Sequence, residues 1–222
     1  MLLLAWKLEG RPVLLVGAGE VAETRVVKLL GAKCNLTVIA PWAKESIEEL
    51  DKAGKLTLKR AKFSWPDLDA NKWALVLTAM DDRELSIAIA EKCRELAIPV
   101  NAADIPDSCD FYFGANVTKG PVNILISTSG AAPALAKKVR QTIENTLDED
   151  LLTKAVANVG ELKRLIRQGF PAMDSKTVQF RMGFVTKFCE SHNWEQLAAL
   201  TEREISHIVE TLEITAEMSG LK

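Results

Sequence analysis

The sequence predicts an α/β fold: a doubly wound parallel sheet, followed by a small α+β element and a C-terminal helical domain. Three observations carry that expectation. Strand-like and helical segments alternate over roughly the first hundred residues; a glycine turn joins the first strand to the first helix; and from residue 149 the pattern is helical almost throughout.

Strand-like runs fall at 13–16, 36–39, 56–59, 73–79 and 98–102, and helical runs at 20–31, 43–53 and 82–97. In the last of these helices Leu85, Ile89, Cys93 and Leu96 share one stripe, which suits packing on a sheet. At the first junction Val13 to Val16 leads into Gly17-Ala-Gly19-Glu-Val-Ala22, a G-x-G-x-x-A turn in a strand–turn–helix setting. In a Rossmann-like domain Gly17 serves the tight turn and Gly19 lets a pyrophosphate approach the backbone. Ala22 lets helix and strand pack closely, and the helix N-terminus faces the phosphates. A glycine turn can also be purely structural; the alternating strands around this one favour a nucleotide.

The acid expected about 20 residues further on, at the end of the second strand, is missing. Leu36 to Ile39 runs into Ala40-Pro41-Trp42, and the nearest carboxylate, Glu45, already belongs to the next helical run. Backbone groups near Pro41 and Trp42 would then meet the adenosine ribose, and Lys44 or Arg25 could serve a 2′-phosphate. No basic residue occupies 38–43, so NAD is preferred over NADP.

After residue 105 the texture changes. Phe111 to Val117 and Val122 to Ser127 flank Thr118-Lys-Gly-Pro121 and read as two strands around a turn. A helix at about 132–147 should start near Pro133, where proline suits a first turn. The helical tail breaks near Gly169-Phe-Pro171 and His192-Asn193. The expected domains are a nucleotide-binding domain at 1–112, a middle element at 113–148 and a helical domain at 149–222.

A hydrophobic content of 48% is ample for a packed core, and 28 basic against 30 acidic residues leave a net charge of −2. Nothing in that balance points to nucleic acid or an anionic membrane as partner. Cys34, Cys93, Cys109 and Cys189 include no C-x-x-C pair, so neither a zinc site nor a disulfide framework is indicated. The apolar opening Met1 to Trp6 is interrupted at Lys7 and Glu9, too soon for a signal peptide or a membrane span. The expectation is a soluble protein in a reducing compartment. His192 and His207 have no third metal ligand in sequence, and Trp65 and Trp194 read as core or interface anchors.

The most specific stretch is Asn101-Ala-Ala-Asp104-Ile-Pro-Asp-Ser-Cys-Asp110-Phe-Tyr-Phe-Gly114. Together with the glycine turn, Thr78-Ala-Met-Asp-Asp82 and Ile126-Ser-Thr-Ser-Gly130, it resembles the siroheme synthase family. The closest likeness is to its fungal-type bifunctional precorrin-2 dehydrogenases and sirohydrochlorin ferrochelatases, and it runs from about Leu4 to Glu210. The resemblance implies oxidation of precorrin-2 to sirohydrochlorin with NAD⁺ as acceptor, then insertion of ferrous iron to give siroheme. It also implies a cytoplasmic homodimer in which the middle element is a dimerisation element, since two strands and a helix cannot bury their apolar faces alone. That family too lacks the acid after the second strand.

Carried over residue by residue, the resemblance places cofactor contacts at Glu20 and Val21 in the turn, beside Gly17 and Gly19, and at Pro41 and Trp42, and the key aspartate at Asp104. Thr78 is expected as a further cofactor contact, and Asn101, Ser127, Thr128 and Ser129 as substrate contacts. At the carboxyl edge of the sheet a carboxylate can take the proton lost on dehydrogenation and one lost on metal insertion. It can also offer an oxygen to iron in passing, with no fixed metal site. From the residues alone Asp104 reads equally as a turn residue before Ile105-Pro106, with Asp107 and Asp110 as rivals; Asp81 and Asp82 read as helix caps.

Ser127-Thr-Ser129 could receive a substrate carboxylate or simply cap a helix, and Ala131-Ala-Pro133 stands where relatives often have Thr-Ser-Pro. Lys137, Lys138, Arg140, Arg164, Arg167 and Arg181 read singly as a solvated face, yet some should line a substrate cleft between the middle element and the nucleotide domain. Three alternatives stay open: a dehydrogenase without chelatase activity; an NAD-sensing regulatory module, which usually keeps the missing acid; and a structural relative that has lost activity, against which Asp104 and the glycine turn argue.

Overall fold

The computed structural model describes residues 2–69 and 72–218, so the extreme ends of the first and last expected domains, Met1 and 219–222, lie outside the described residues. The chain divides into two compact units, at Leu2–Phe113 and from Gly114 onward. The first unit is a five-stranded parallel sheet in the order β3-β2-β1-β4-β5. Its strands are β1 (Pro12–Val16), β2 (Asn35–Ile39), β3 (Thr57–Lys59), β4 (Leu75–Thr78) and β5 (Val100–Ala102), and its helices are α1 (Glu20–Gly31), α2 (Glu45–Lys52) and α3 (Arg83–Glu95). Strand order reverses between β1 and β4, which is where a doubly wound sheet opens its crevice.

Both faces of the sheet are buried, as parallel strands require. Val13 and Leu15 point to the α1 side, where they meet Ala22, Val26 and Leu29. Leu14 and Val16 point to the α3 side and meet Ile89, Ala90 and Cys93. The last three strands, β3, β4 and β5, are shorter than the apolar runs that announced them. Trp73, read as strand, instead donates from Nε1 to the Asp67 carbonyl at 2.7 Å. Asp82 caps α3 by accepting from the Leu85 N–H at 2.9 Å.

In the second unit β6 (Ala115–Lys119) and β7 (Val122–Ile126) form an antiparallel hairpin, followed by α4 (Pro133–Thr146). The expectation of a strand from Phe111 needs correction. Phe111 and Phe113 pack into the α1-side core of the first unit, and the strand begins only at Ala115. The tail comprises α5 (Glu149–Gly169), α6 (Ser175–Ser191), α7 (Trp194–Ala199) and α8 (Glu202–Met218), with a further break near Leu200 that the sequence pattern did not announce.

Leu162, Ile166 and Phe170 form a stripe on α5 and its C-cap, and it meets Ile205, Val209 and Leu212 of α8. Gly120, in the hairpin turn at φ +53°, lies so close to α5 that a Cβ would stand 2.2 Å from the Thr153 hydroxyl. Trp65 and Trp194 are not core residues: they are 52% and 49% exposed.

Candidate functional site

The glycine turn closes the carboxyl end of β1 against that of β4. Gly17 adopts φ +110°, and a Cβ there would stand 2.0 Å from the Ala79 carbonyl oxygen, so no other residue fits. At Gly19, by contrast, a Cβ would meet no protein atom within 4 Å. Gly19 is also the N-cap of α1 and supplies no side-chain acceptor to the helix terminus. The first-turn N–H groups of α1 are thus left for another acceptor, with the positive end of the helix behind them.

The other expected cofactor residues end up along the same edge. Pro41 and Trp42 follow β2 and are exposed, the indole by 62%; Val21 is 40% exposed on the first turn of α1, next to exposed Glu20. Thr78 closes β4 and is buried, and its hydroxyl finds no hydrogen-bond partner among the described residues. A buried hydroxyl left unpaired costs about 1–3 kcal/mol, so it stands ready for a partner from outside the chain. An uncapped helix terminus, an open backbone at Gly19 and an orphaned hydroxyl together fit a bound dinucleotide.

Asp104 lies two residues past β5 at the same edge. It is exposed and sits in the left-handed region at φ +58°. The turn around it is built by backbone bonds: Ala103 N–H to the Thr78 carbonyl at 2.9 Å and Ile105 N–H to the Ala102 carbonyl at 3.2 Å. Arg83 reaches the Asp104 carbonyl at 3.4 Å, while the Asp104 carboxylate accepts no hydrogen bond from the described residues. A non-glycine residue held here costs of order 1 kcal/mol, less for aspartate than for most.

The segment after Asp104 explains how that turn is held. Asn101, expected as a substrate contact, is instead buried, and its amide donates to the Phe111 carbonyl at 2.8 Å and to Cys109 Sγ at 3.3 Å. Its amide N–H groups thus secure the loop that carries Asp104. Cys109 donates to the Ala102 and Ile105 carbonyls at 3.0 and 3.3 Å. Burial pushes its thiol pKa up, and that of Cys93 up to about 12, so both stay protonated thiols rather than nucleophiles. Asp110 accepts from the Val100 N–H at 3.0 Å and pairs with Arg94 at 3.4 Å, so this rival of Asp104 is structural.

Arg25 stacks its guanidinium 4.4 Å over the Phe113 ring, and Lys28 shares that ring at 5.3 Å. Burial lowers the Arg25 pKa, partly offset by the charge of Asp104. Lys44 donates its backbone N–H to the Ala18 carbonyl at 3.1 Å, tying the start of α2 to the glycine turn. Its ammonium bridges Glu20 and Glu23, contacts between residues far apart in sequence that no motif announces.

In the second unit the Ser127–Ser129 loop follows β7. Ser127 Oγ accepts from the Ser129 N–H at 3.2 Å and Thr128 Oγ1 from the Ala132 N–H at 3.2 Å, so these hydroxyls shape the loop. Ser129 at φ +53° and Gly130 at φ +82° turn the chain toward α4, whose N-terminus has no side-chain cap. Ser129 is exposed, with no hydroxyl hydrogen bond among the described residues.

Of the basic candidates, Arg140 pairs with Glu144, Arg164 with Glu161, and Arg181 donates to the Phe170 carbonyl. Lys137 and Lys138 are exposed. His192 stacks on Phe188 at 4.3 Å and bonds its carbonyl. Among the described residues no three His, Cys, Asp or Glu side chains gather as metal ligands, and no helix is long and apolar enough to cross a membrane.

The fold and the glycine turn define a dinucleotide-binding α/β protein, and residues 4–115 match the family of NAD(P)-binding domains. Residues 119–146 match the central region of sirohaem biosynthesis proteins and 150–216 their C-terminal region. The chain is 35% identical to the siroheme biosynthesis protein of Schizosaccharomyces pombe, over 94% of this chain and 78% of that protein. It is 34% identical to the siroheme biosynthesis protein of Saccharomyces cerevisiae, over 83% and 80% respectively. A solved structure titled SirC, precorrin-2 dehydrogenase, is similar with a TM-score of 0.69 and 25% identity, over 95% of this chain and all of that one. The chain belongs to the siroheme biosynthesis family.

Proposed function

We propose that this protein is an NAD-dependent precorrin-2 dehydrogenase that also inserts ferrous iron into its product. The observation that carries the reading is the placement of Asp104. A carboxylate without a hydrogen-bond partner among the described residues is held in a left-handed turn, on the same sheet edge as the dinucleotide turn. Family membership supplies the substrate class. When bound, NAD⁺ supplies the hydride acceptor, so precorrin-2 loses a hydride and a proton and becomes sirohydrochlorin. Gly17, Gly19, Glu20, Val21, Pro41, Trp42 and Thr78 would hold the dinucleotide.

Asp104 takes the proton; its exposure lets it pass that proton to solvent, and its open lone pairs let it receive one. Insertion of Fe²⁺ displaces two further protons from pyrrole nitrogens, and the same carboxylate can accept one of them. Iron is substrate here, met in passing by a hard oxygen ligand that does not retain it. Ser129, with Ser127 and Thr128 shaping its loop, would offer its hydroxyl to a substrate carboxylate.

The domains in this reading are a nucleotide domain at 1–112, a dimerisation element at 113–148 and a helical domain at 149–222. The homodimer is supported by α4, where Leu135 and Val139 are 54% and 39% exposed and only Ala136 is buried. Four unpaired cysteines suit a reducing compartment such as the cytoplasm.

An anaerobic optical assay tests the function: precorrin-2 with NAD⁺, then sirohydrochlorin with Fe²⁺. Sirohydrochlorin and NADH in equal amounts, followed by the siroheme spectrum, are the expected results. NADH without siroheme would leave a dehydrogenase alone. No spectral change in either step, with NAD still bound, would sink the reading in favour of a sensor.

A further inference from the structure

The end of β2 carries no carboxylate, so selection between NAD and its 2′-phosphorylated form must come from elsewhere in the site. Two cations were candidates for a 2′-phosphate, Arg25 and Lys44, and the structure disposes of both. The Arg25 guanidinium lies 4.4 Å over the Phe113 ring with its Nε buried, within the electrostatic reach of Asp104. Lys44 lies where the adenosine half of a dinucleotide belongs, in the loop between β2 and α2 and fastened to the glycine turn through Ala18. Its ammonium, however, sits 2.7 Å from Glu20 Oε1 and 2.6 Å from Glu23 Oε2. Ser46 Oγ donates to the other Glu23 oxygen.

The electrostatics agree from both ends of the cluster. Lys44 and Ser46 hold the Glu23 carboxyl below its usual range, and Glu20 and Glu23 hold the Lys44 ammonium above its own. One cation between two carboxylates leaves the cluster net negative; in the first turn of α2 Glu45 adds charge of the same sign, while Glu48 is paired with Arg60 at 2.7 Å.

We propose that Glu20, Glu23 and Lys44 form the element that admits NAD and rejects a 2′-phosphorylated dinucleotide, in place of the carboxylate missing from β2. The inference rests on the glycine turn being a dinucleotide site. Neutral ribose hydroxyls meet the cluster without penalty, whereas a phosphate dianion meets carboxylates whose one counter-charge is already taken. Neutralising the two glutamates should convert Lys44 from a bound counter-ion into a free phosphate partner.

Calorimetric titration of the full chain with NAD⁺ and with NADP⁺ tests this without reference to turnover. Wild type should bind NAD⁺ at least about tenfold more tightly, the size expected for close like charges near a surface. In Glu20→Gln/Glu23→Gln the NAD⁺ to NADP⁺ preference should fall about tenfold. Glu20→Gln alone should lower it about threefold, and as a change at a side chain 83% exposed it leaves the fold intact. Added salt should erode the wild-type preference. An unchanged ratio in both variants, or equal binding of the two dinucleotides by wild type, would overturn the cluster's role while leaving the dinucleotide site standing. Binding of neither dinucleotide by wild type would overturn the site and the inference together.

Discussion

The turns after β1 and β5 both enter the left-handed region, Gly17 at φ +110° and Asp104 at φ +58°. At Gly17 the reason is steric, because the Ala79 carbonyl occupies the space that a Cβ would need. At Asp104 no such neighbour dictates the residue type: the position is exposed, and glycine would adopt the same backbone at less cost. The chain nevertheless carries a carboxylate there, on a loop secured by Asn101, Cys109 and Asp110. On the proposed function, the contrast separates a residue kept for shape from one kept for chemistry.

Substitutions should therefore act with opposite sign at the two turns. Gly17→Ala forces a Cβ onto a backbone oxygen at the mouth of the crevice. It should destabilise the protein by about 3 kcal/mol and abolish NAD binding, read by chemical denaturation and titration. Asp110→Asn weakens a charge-assisted bond to the Val100 N–H and the pair with Arg94. A loss of about 1–2 kcal/mol is expected in the same denaturation experiment, with NAD binding retained. Asp104→Gly should be the mildest for stability: about 0.5 kcal/mol more stable than wild type, with the reaction lost. A destabilised Asp104→Gly protein would show that the aspartate is there for the turn itself.

Much of this was legible in the sequence, for reasons that differ between elements. The β1–α1 turn announces itself because its backbone demands glycine at a fixed spacing. The parallel doubly wound sheet followed from alternation, and the place of Asp104 at its carboxyl edge from where the fifth strand-like run ends. Phe111-Tyr-Phe113 misled because alternating aromatics look like a strand, whereas two of these rings fill the core beside α1. The structural part played by Asn101 was not legible, because its amide bonds to Phe111 and Cys109 exist only once the loop has folded back on β5. The Lys44 cluster was hidden for another reason: its partners stand 24 and 21 residues away and meet only when α1 and α2 pack.

The central claim is that Asp104 does chemistry on a cofactor site it does not help to build. Single-turnover oxidation of precorrin-2 by Asp104→Asn, with NAD⁺ already bound, tests it most directly. The account predicts an NAD⁺ dissociation constant within about twofold of wild type and a rate lower by a factor of about 10² or more. A rate within about threefold of wild type, at equal NAD⁺ occupancy, would contradict it and leave Asp104 a turn residue.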